Sequence, residues 1–70
     1  MASERTIYSV VRSGNGDGWI IEKEEAGPLE EHRTKLAAVS AARERARAQR
    51  PSGVRVHTPD GAMEFENTFG

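Results

Sequence analysis

One stretch near the end of the chain constrains its fold more than any other: two alternating runs flank a tight-turn sequence. The runs are GVRVH, residues 53–57, and AMEFE, residues 62–66, and TPDG lies between them. Proline at the second position and glycine at the fourth are typical of a type I turn. A turn centred there places apolar residues opposite each other on one face of a hairpin and an ion pair on the other. The predicted pairs are Val56–Met63, Val54–Phe65 and Arg55–Glu64.

Two earlier runs also predict strands. RTIYSVVRS, residues 5–13, and GWIIEKEE, residues 18–25, are rich in β-branched and aromatic residues. The intervening Asn-Gly and Asp-Gly pairs favour a hairpin turn over residues 14–18, because these residues tolerate positive φ. A calcium loop needs at least about six oxygen ligands, and this segment offers two polar side chains. A phosphate-binding loop needs a helix directly after its glycines, and here a strand follows.

Both of these strands carry apolar residues on both alternating faces, whereas a strand with one solvated face alternates more cleanly. One set comprises Tyr8, Val10 and Ile21, and the other comprises Ile7, Val11 and Ile20. The hairpin register is not set by the sequence, so either set can face the core. If the first set faces inward, the second forms an outer apolar patch of a kind that monomers rarely leave in water.

A single helix is predicted over residues 35–49. The preceding segment AGPLEEHR, residues 26–33, is predicted to be a loop, because Pro28 discourages a strand. Thr34 is suited to cap the first turn with its hydroxyl, and Pro51 ends the helix. The face that we expect to be buried is narrow and made of small side chains, which lets a helix approach a sheet closely. It comprises Ala38, Val39, Ala42 and Ala46, with Leu36 at its border.

The order of elements is β-β-α-β-β, which predicts an α+β fold with an antiparallel sheet and one helix packed across one face. We expect one small domain over residues 1–70, with its core over residues 5–70. The expected core combines Trp19, Val54, Val56, Met63 and Phe65 with Val39, Ala42 and Ala46. The chain has no cysteine and hence no disulfide, and a core of this size contributes only about 3–5 kcal/mol. The remaining sources of stability are good local geometry or a partner subunit, which makes a homodimer a reasonable expectation.

The composition favours neither an enzyme nor a metal protein. Without cysteine there is no thiolate zinc site, and His32 and His57 lack ligand-like spacing. The hydroxyl and carboxylate residues near His57 form no distinctive arrangement of nucleophile and base. We therefore expect no catalytic residue, no cofactor and no metal. No apolar run approaches the length of a membrane span, and no leader-like segment opens the chain, so a cytoplasmic protein without membrane association is expected.

Arg43, Arg47 and Arg50 share one face of the predicted helix at the spacing i, i+4, i+7 and could follow a nucleic-acid backbone. The opposing interpretation is a solvated face that balances the acidic run from Glu22 to Glu31. The net charge of −1 and the absence of interleaved aromatic residues favour the solvated face. Nucleic-acid binding by these arginines stays as the alternative function.

Three segments, YSVVRSGNGDGWIIEKE, TKLAAVSAARERA and VRVHTPDGAMEFENTFG, cover nearly the whole chain from Tyr8 to Gly70. Together they resemble a short bacterial family known as domain of unknown function 2188. The residues that match the family's pattern are Tyr8, Val10, Gly18, Trp19, Ile21, Thr34, Lys35, Ala41, Ala42, Arg43, Glu44, Val56, His57, Asp60, Gly61, Phe69 and Gly70. The chain departs from it at Arg12, Ala37 and Arg45. The resemblance implies an intact domain in which the final NTFG belongs to the fold, and it implies no activity.

These features together predict a non-enzymatic interaction module that forms a homodimer through Ile7, Val11 and Ile20. A twofold contact needs only one self-complementary surface, which makes a second copy the simplest cover for an apolar patch. A nucleic-acid-binding accessory protein is the first alternative, and an enzyme or a ligand-binding subunit is the least favoured. The sequence identifies no other protein partner.

Overall fold

Five strands and one helix make up residues 5–14 and 18–70, which are the residues that the structure, a computed structural model, describes. The elements are β1 (Thr6–Arg12), β2 (Trp19–Lys23), β3 (Gly27–His32), α1 (Lys35–Ala48), β4 (Ser52–His57) and β5 (Met63–Phe69). In this part of the chain the strands form one sheet in the order β3-β2-β1-β4-β5. The helix packs across one face, so the predicted α+β class is confirmed.

The sheet is mixed, and the prediction of a purely antiparallel sheet was wrong. β1 and β4 run parallel, while the β1–β2, β2–β3 and β4–β5 pairs are antiparallel. Parallel neighbours need a crossover connection, and a helix usually supplies it. Here the chain leaves β3 at one edge, crosses the sheet as α1 and enters β4 on the far side of β1, in the same direction as β1.

The segment predicted to be a loop over residues 26–33 forms the edge strand β3 instead. Pro28 is accommodated because an edge strand has one side without a partner, and the pairing with β2 is irregular between Ile21 and Glu22. A tight turn leads into the strand: the amide of Ala26 donates to the carbonyl of Lys23 at 2.9 Å. The element order is therefore β-β-β-α-β-β, with one strand more than predicted.

The helix begins and ends close to its predicted bounds. The hydroxyl of Thr34 accepts a hydrogen bond from the amide of Ala37 at 3.1 Å, which confirms the predicted N-cap. After Ala48 the chain turns into the cis Arg50–Pro51 peptide bond. The buried stripe consists of three alanines at i, i+4 and i+8, which are Ala38, Ala42 and Ala46.

The core lies between this alanine stripe and the helix-facing side of the sheet. The sheet contributes Tyr8, Val10, Trp19, Ile21, Val54 and Val56, and Val39, Ala41 and Phe69 pack against the cluster from its rim. Tyr8, Val10 and Ile21 are therefore the inward set of the first hairpin, a choice that the sequence had left open. Two predicted core residues were wrong: Met63 is 55% exposed and Phe65 is 42% exposed. Both lie on β5, at the edge of the sheet. Phe65 pairs with the buried Val56 but receives little cover from the helix, whereas Met63 pairs with His57, beyond the irregularity in the pairing.

The register of the last hairpin is shifted by two residues from the prediction. The observed pairs are Val56–Phe65, Arg55–Glu66 and Val54–Asn67. The turn is one residue longer than predicted, because the amide of Thr58 donates to the carbonyl of Ala62 instead of Gly61. Gly61 adopts a positive φ of 97° within this turn. The second residue of the shift comes from an irregularity in the pairing: His57 pairs with Met63 and Val56 pairs with Phe65, so that Glu64 is an extra residue in β5. A shift of two preserves the faces, and β5 continues to Phe69, so the expectation that NTFG belongs to the fold is confirmed.

The strands on either side of the first predicted turn pair as a hairpin. Their last backbone contact before the turn joins the amide of Ser13 to the carbonyl of Gly18 at 2.8 Å. Residues 15–17 lie outside the described residues, so the expectation of a metal-free turn stays a prediction there.

In the described part of the chain, the helix is too short and too polar to cross a membrane.

Candidate functional site

The face of the sheet turned away from the helix holds the residues predicted to mediate self-association. Val11 and Ile20 are direct cross-strand partners in β1 and β2, and both are half-buried. Ile7 lies on the same face but is only 7% exposed. The three side chains therefore do not form one evenly exposed patch, and the accessible apolar part is the Val11–Ile20 pair.

Ile7 is covered by its own chain because its partner in β4 is a glycine. A Cβ atom placed on Gly53 would lie 3.3 Å from Cδ1 of Ile7 and 3.6 Å from Cδ of Arg5. The isoleucine side chain thus fills the space that a side chain at position 53 would occupy. The contribution of Ile7 is to intramolecular packing.

Charged residues lie around the Val11–Ile20 pair on this outer face. Arg55 Nε lies 3.2 Å from Glu66 Oε2 across the β4–β5 pair, and Glu31 is the β3 partner of Ile20. An apolar centre with a charged rim is the usual composition of a small protein interface.

A second surface lies on the other side of the molecule, between α1 and β5. The helix packs chiefly on β1 and β4 and also reaches β2 and β3, so it leaves β5 the least covered strand. The Arg50 guanidinium, just beyond the end of the helix, lies 5.8 Å from the centre of the Phe69 ring and marks the flank that faces β5. Lys35, at the start of the helix, reaches both sides, because it forms an ion pair with Glu64 of β5 and its Nζ lies 5.5 Å from the centre of the Trp19 ring of β2.

Helical periodicity brings further residues to the same flank. At 100° per residue, Leu36, Val39 and Arg43 follow one another along it beside the buried alanines. Leu36 is 80% exposed, and Phe65 lies on the helix-facing side of β5 because it pairs with the buried Val56. We define the α1–β5 surface by six residues: Leu36, Val39, Arg43, Arg50, Phe65 and Phe69.

The three arginines predicted as a candidate nucleic-acid contact have different surroundings. Arg47 Nη1 lies 3.4 Å from Glu44 Oε2 at i, i+3, and Arg50 stacks on Phe69. Arg43 is exposed, and among the described residues no carboxylate lies within ion-pair distance of it or of Arg50. The sequence suggested no aromatic residue among these arginines, but the fold brings Phe69 to them from a distant strand.

The acidic run contacts the opposite flank of the helix. Glu30 on β3 accepts hydrogen bonds from Arg45 Nε and, at 2.7 Å, from His32 Nε2. The hydrogen bond from Arg45, followed by the one from His32, holds the pKa of Glu30 below its ordinary value of 4.5. Among the described residues, the ion pair between the helix and the acidic run is therefore formed by Arg45, whereas Arg47 of the predicted stripe pairs with Glu44 within the helix.

The polar residues around His57 serve the turn of the last hairpin. His57 Nδ1 lies 3.4 Å from the carbonyl oxygen of Gly61, and the Thr58 hydroxyl donates to the carboxylate of Asp60, which lowers the pKa of Asp60. Among residues 5–14 and 18–70, no three histidine, aspartate or glutamate residues are grouped so that they could hold a metal ion.

The comparison with known families agrees with the sequence resemblance. The profile of the family DUF2188, described as an uncharacterized protein conserved in bacteria, matches residues 8–69. The chain therefore belongs to this family. No curated protein and no solved structure matches the chain significantly.

Proposed function

We propose that this member of the DUF2188 family is a non-enzymatic interaction module that associates with a second copy of itself through the outer face of its sheet. The observation that carries the proposal is the position of Val11 and Ile20. They pair with each other near the middle of a sheet whose helix lies on the opposite face. Apolar side chains on both faces of a strand are typical of strands that are covered on both sides.

The size of the chain supports the same proposal. Seventy residues bury a small core, and oligomerisation is one of the ways in which small domains gain further stability. Stacking two outer faces about a twofold axis would bring Val11 and Ile20 of one copy against the same residues of the other. Because Ile7 is already covered, the apolar centre of this contact is smaller than the sequence suggested.

The experiment measures the mass of the protein in solution by sedimentation equilibrium. A protein concentration on the order of tens of micromolar would populate a dimer whose Kd is micromolar. The wild type should be a dimer, and Val11→Glu and Ile20→Glu should be monomers that keep the wild-type circular dichroism spectrum. Leu36→Glu is the matched control, because it introduces the same charge at an exposed position on the other side of the molecule.

A monomeric wild type would refute self-association. A dimer that Leu36→Glu dissociates, while Val11→Glu and Ile20→Glu leave it intact, would place the interface on the other side of the sheet. Nucleic-acid binding by Arg43, Arg47 and Arg50 is less well supported, because one of the three is paired with a glutamate and the chain carries a net charge of −1. An enzymatic role has the least support.

A further inference from the structure

We infer that the α1–β5 surface is a second binding site, which takes an extended peptide segment of another protein as an additional strand beside β5. The segment would present one apolar and one acidic side chain toward the helix, two residues apart. This inference does not depend on self-association, which uses the opposite face of the sheet.

The two edges of the sheet differ in how well they are protected. Natural edge strands are protected by proline, charged side chains or irregular pairing. β3 contains Pro28, and its pairing with β2 is irregular. In β5 the irregularity lies at the start, beside His57, and the strand then continues without proline from Phe65 to Phe69. Its charged residues, Glu64 and Glu66, are neutralised by ion pairs with Lys35 and Arg55. β5 is thus the edge on which another strand can form hydrogen bonds.

The helix-facing side of this edge has exposed apolar surface. Phe65 is 42% exposed although its partner Val56 is fully buried. Leu36 is 80% exposed on the flank of the helix that faces β5. A strand added beside β5 would point every second side chain toward the helix. One of these would cover the free side of Phe65, so an apolar residue is expected there.

The charges of the surface favour an acidic residue at the next position. Lys35 contacts Glu64 and Arg50 lies over Phe69, so α1 and β5 run side by side in the same direction. Arg43 therefore lies beside the middle of β5, one helix-facing position beyond Phe65. Among the described residues it has no carboxylate partner, and an incoming carboxylate at this position would form a charge-assisted hydrogen bond with it.

A second copy of the chain fits this edge less well than an acidic peptide. Its own β5 carries Glu64 and Glu66, but these carboxylates are already paired with Lys35 and Arg55. The helix-facing residue two positions beyond Phe65 is Asn67, which brings no charge to Arg43. The surface therefore suits a partner that supplies a free carboxylate.

The experiment selects peptides from a phage-displayed random library on the immobilised full chain and synthesises the enriched sequence. The enriched peptides should share an apolar and an acidic residue two positions apart. Binding of the synthetic peptide should slow hydrogen exchange of β5 amides and shift the Phe65 resonances. Arg43→Glu should weaken binding about tenfold or more. Arg33→Glu is the matched control, since Arg33 is exposed outside the α1–β5 surface, and its affinity should equal that of the wild type.

Several results would overturn the inference. They are a selection that enriches no peptide, a bound peptide that leaves β5 amides unprotected, and equal affinity for the wild type and Arg43→Glu. Displacement of the peptide by a thymidine oligonucleotide with the same dependence on Arg43 would assign the surface to single-stranded nucleic acid. The Val11→Glu variant separates this test from self-association. The substitution leaves the α1–β5 surface intact, so the variant should bind the peptide as the wild type does, whether or not the protein forms a dimer.

Discussion

The hydroxyl of Ser52 donates a hydrogen bond to the carbonyl oxygen of Ala46, and both residues are fully buried. The same carbonyl accepts from the amide of Gln49 at 3.1 Å. Carbonyl groups in the last turn of a helix lack the partners that the interior provides. This hydrogen bond therefore links the last turn of α1 to the first residue of β4, at the point where the chain returns from the helix to the sheet.

Replacing Ser52 with alanine should lower the free energy of unfolding by about 1 kcal/mol, because the buried carbonyl loses one of its two donors. Urea denaturation followed by circular dichroism measures this difference. Ser40→Ala, at an exposed helix position, is the matched control and should leave stability unchanged or slightly raised. Equal stability of Ser52→Ala and the wild type would contradict the role given to this hydrogen bond.

Gly14 and Gly18 lie on either side of residues 15–17, between β1 and β2, but should tolerate alanine very differently. A Cβ atom at Gly18 would lie 2.7 Å from the backbone carbonyl oxygen of His32, at the end of β3, whereas one at Gly14 would meet nothing within 4 Å. Gly18→Ala should cost about 1–3 kcal/mol because backbone must move. Thermal melts of the two variants compare them directly. A Gly18→Ala protein as stable as Gly14→Ala would show that β3 does not pass this close.

Enlarging the buried stripe of the helix should strain the core. Ala42 is fully buried between α1 and the sheet, so Ala42→Leu should destabilise by about 1–3 kcal/mol through overpacking. Ala37→Leu makes the same change at an exposed position and should be nearly neutral. Both values come from urea titrations. A leucine at position 42 that left the unfolding midpoint unchanged would mean that the helix can shift away from the sheet at little cost.

The Glu30–Arg45 contact should make a small contribution to stability that depends on pH. The pKa of Glu30 is lowered in the folded protein, so the contribution is present above the ordinary carboxylate value and is lost as the pH falls through the folded value. The pair is partly exposed, which limits the effect to less than about 1 kcal/mol. Melting temperatures should therefore differ between the wild type and Glu30→Gln at neutral pH and converge in acid.

The exposed Glu31 on the same strand provides the control for that comparison, since Glu31→Gln removes a carboxylate that forms no ion pair with the described residues. Its melting temperature should stay parallel to that of the wild type. A gap between wild type and Glu30→Gln that widened toward low pH would have the wrong sign for a lowered pKa.

The elements predicted correctly are those that depend on residues a few positions apart. Thr34 caps the helix with the amide of Ala37, three residues on, and the periodicity of the alanines alone identifies the buried stripe. The last hairpin was predicted from alternation, whose period of two survives a change of register by two residues. Alternation did not decide which side of the first hairpin faces inward, because both sides are apolar. For the candidate site, the sequence predicted Arg43, Arg47 and Arg50 on one helix face, but the helix ends at Ala48 and Arg50 lies beyond it, over the Phe69 ring.

Strand position, hairpin register and the burial of the β5 side chains were decided only by the tertiary structure, because they depend on which distant segments of the chain pack together. Pro28 is acceptable in a strand because β3 lies at an edge, and Gly61 and the irregularity beside His57 fix a register that no local preference sets. Phe65 has the sequence pattern of a core residue but lies on the strand that the helix covers least. A single helix spans only part of a five-stranded sheet, so strand order, which follows from the path of the crossover, determines which apolar residues are buried and which remain available to a partner.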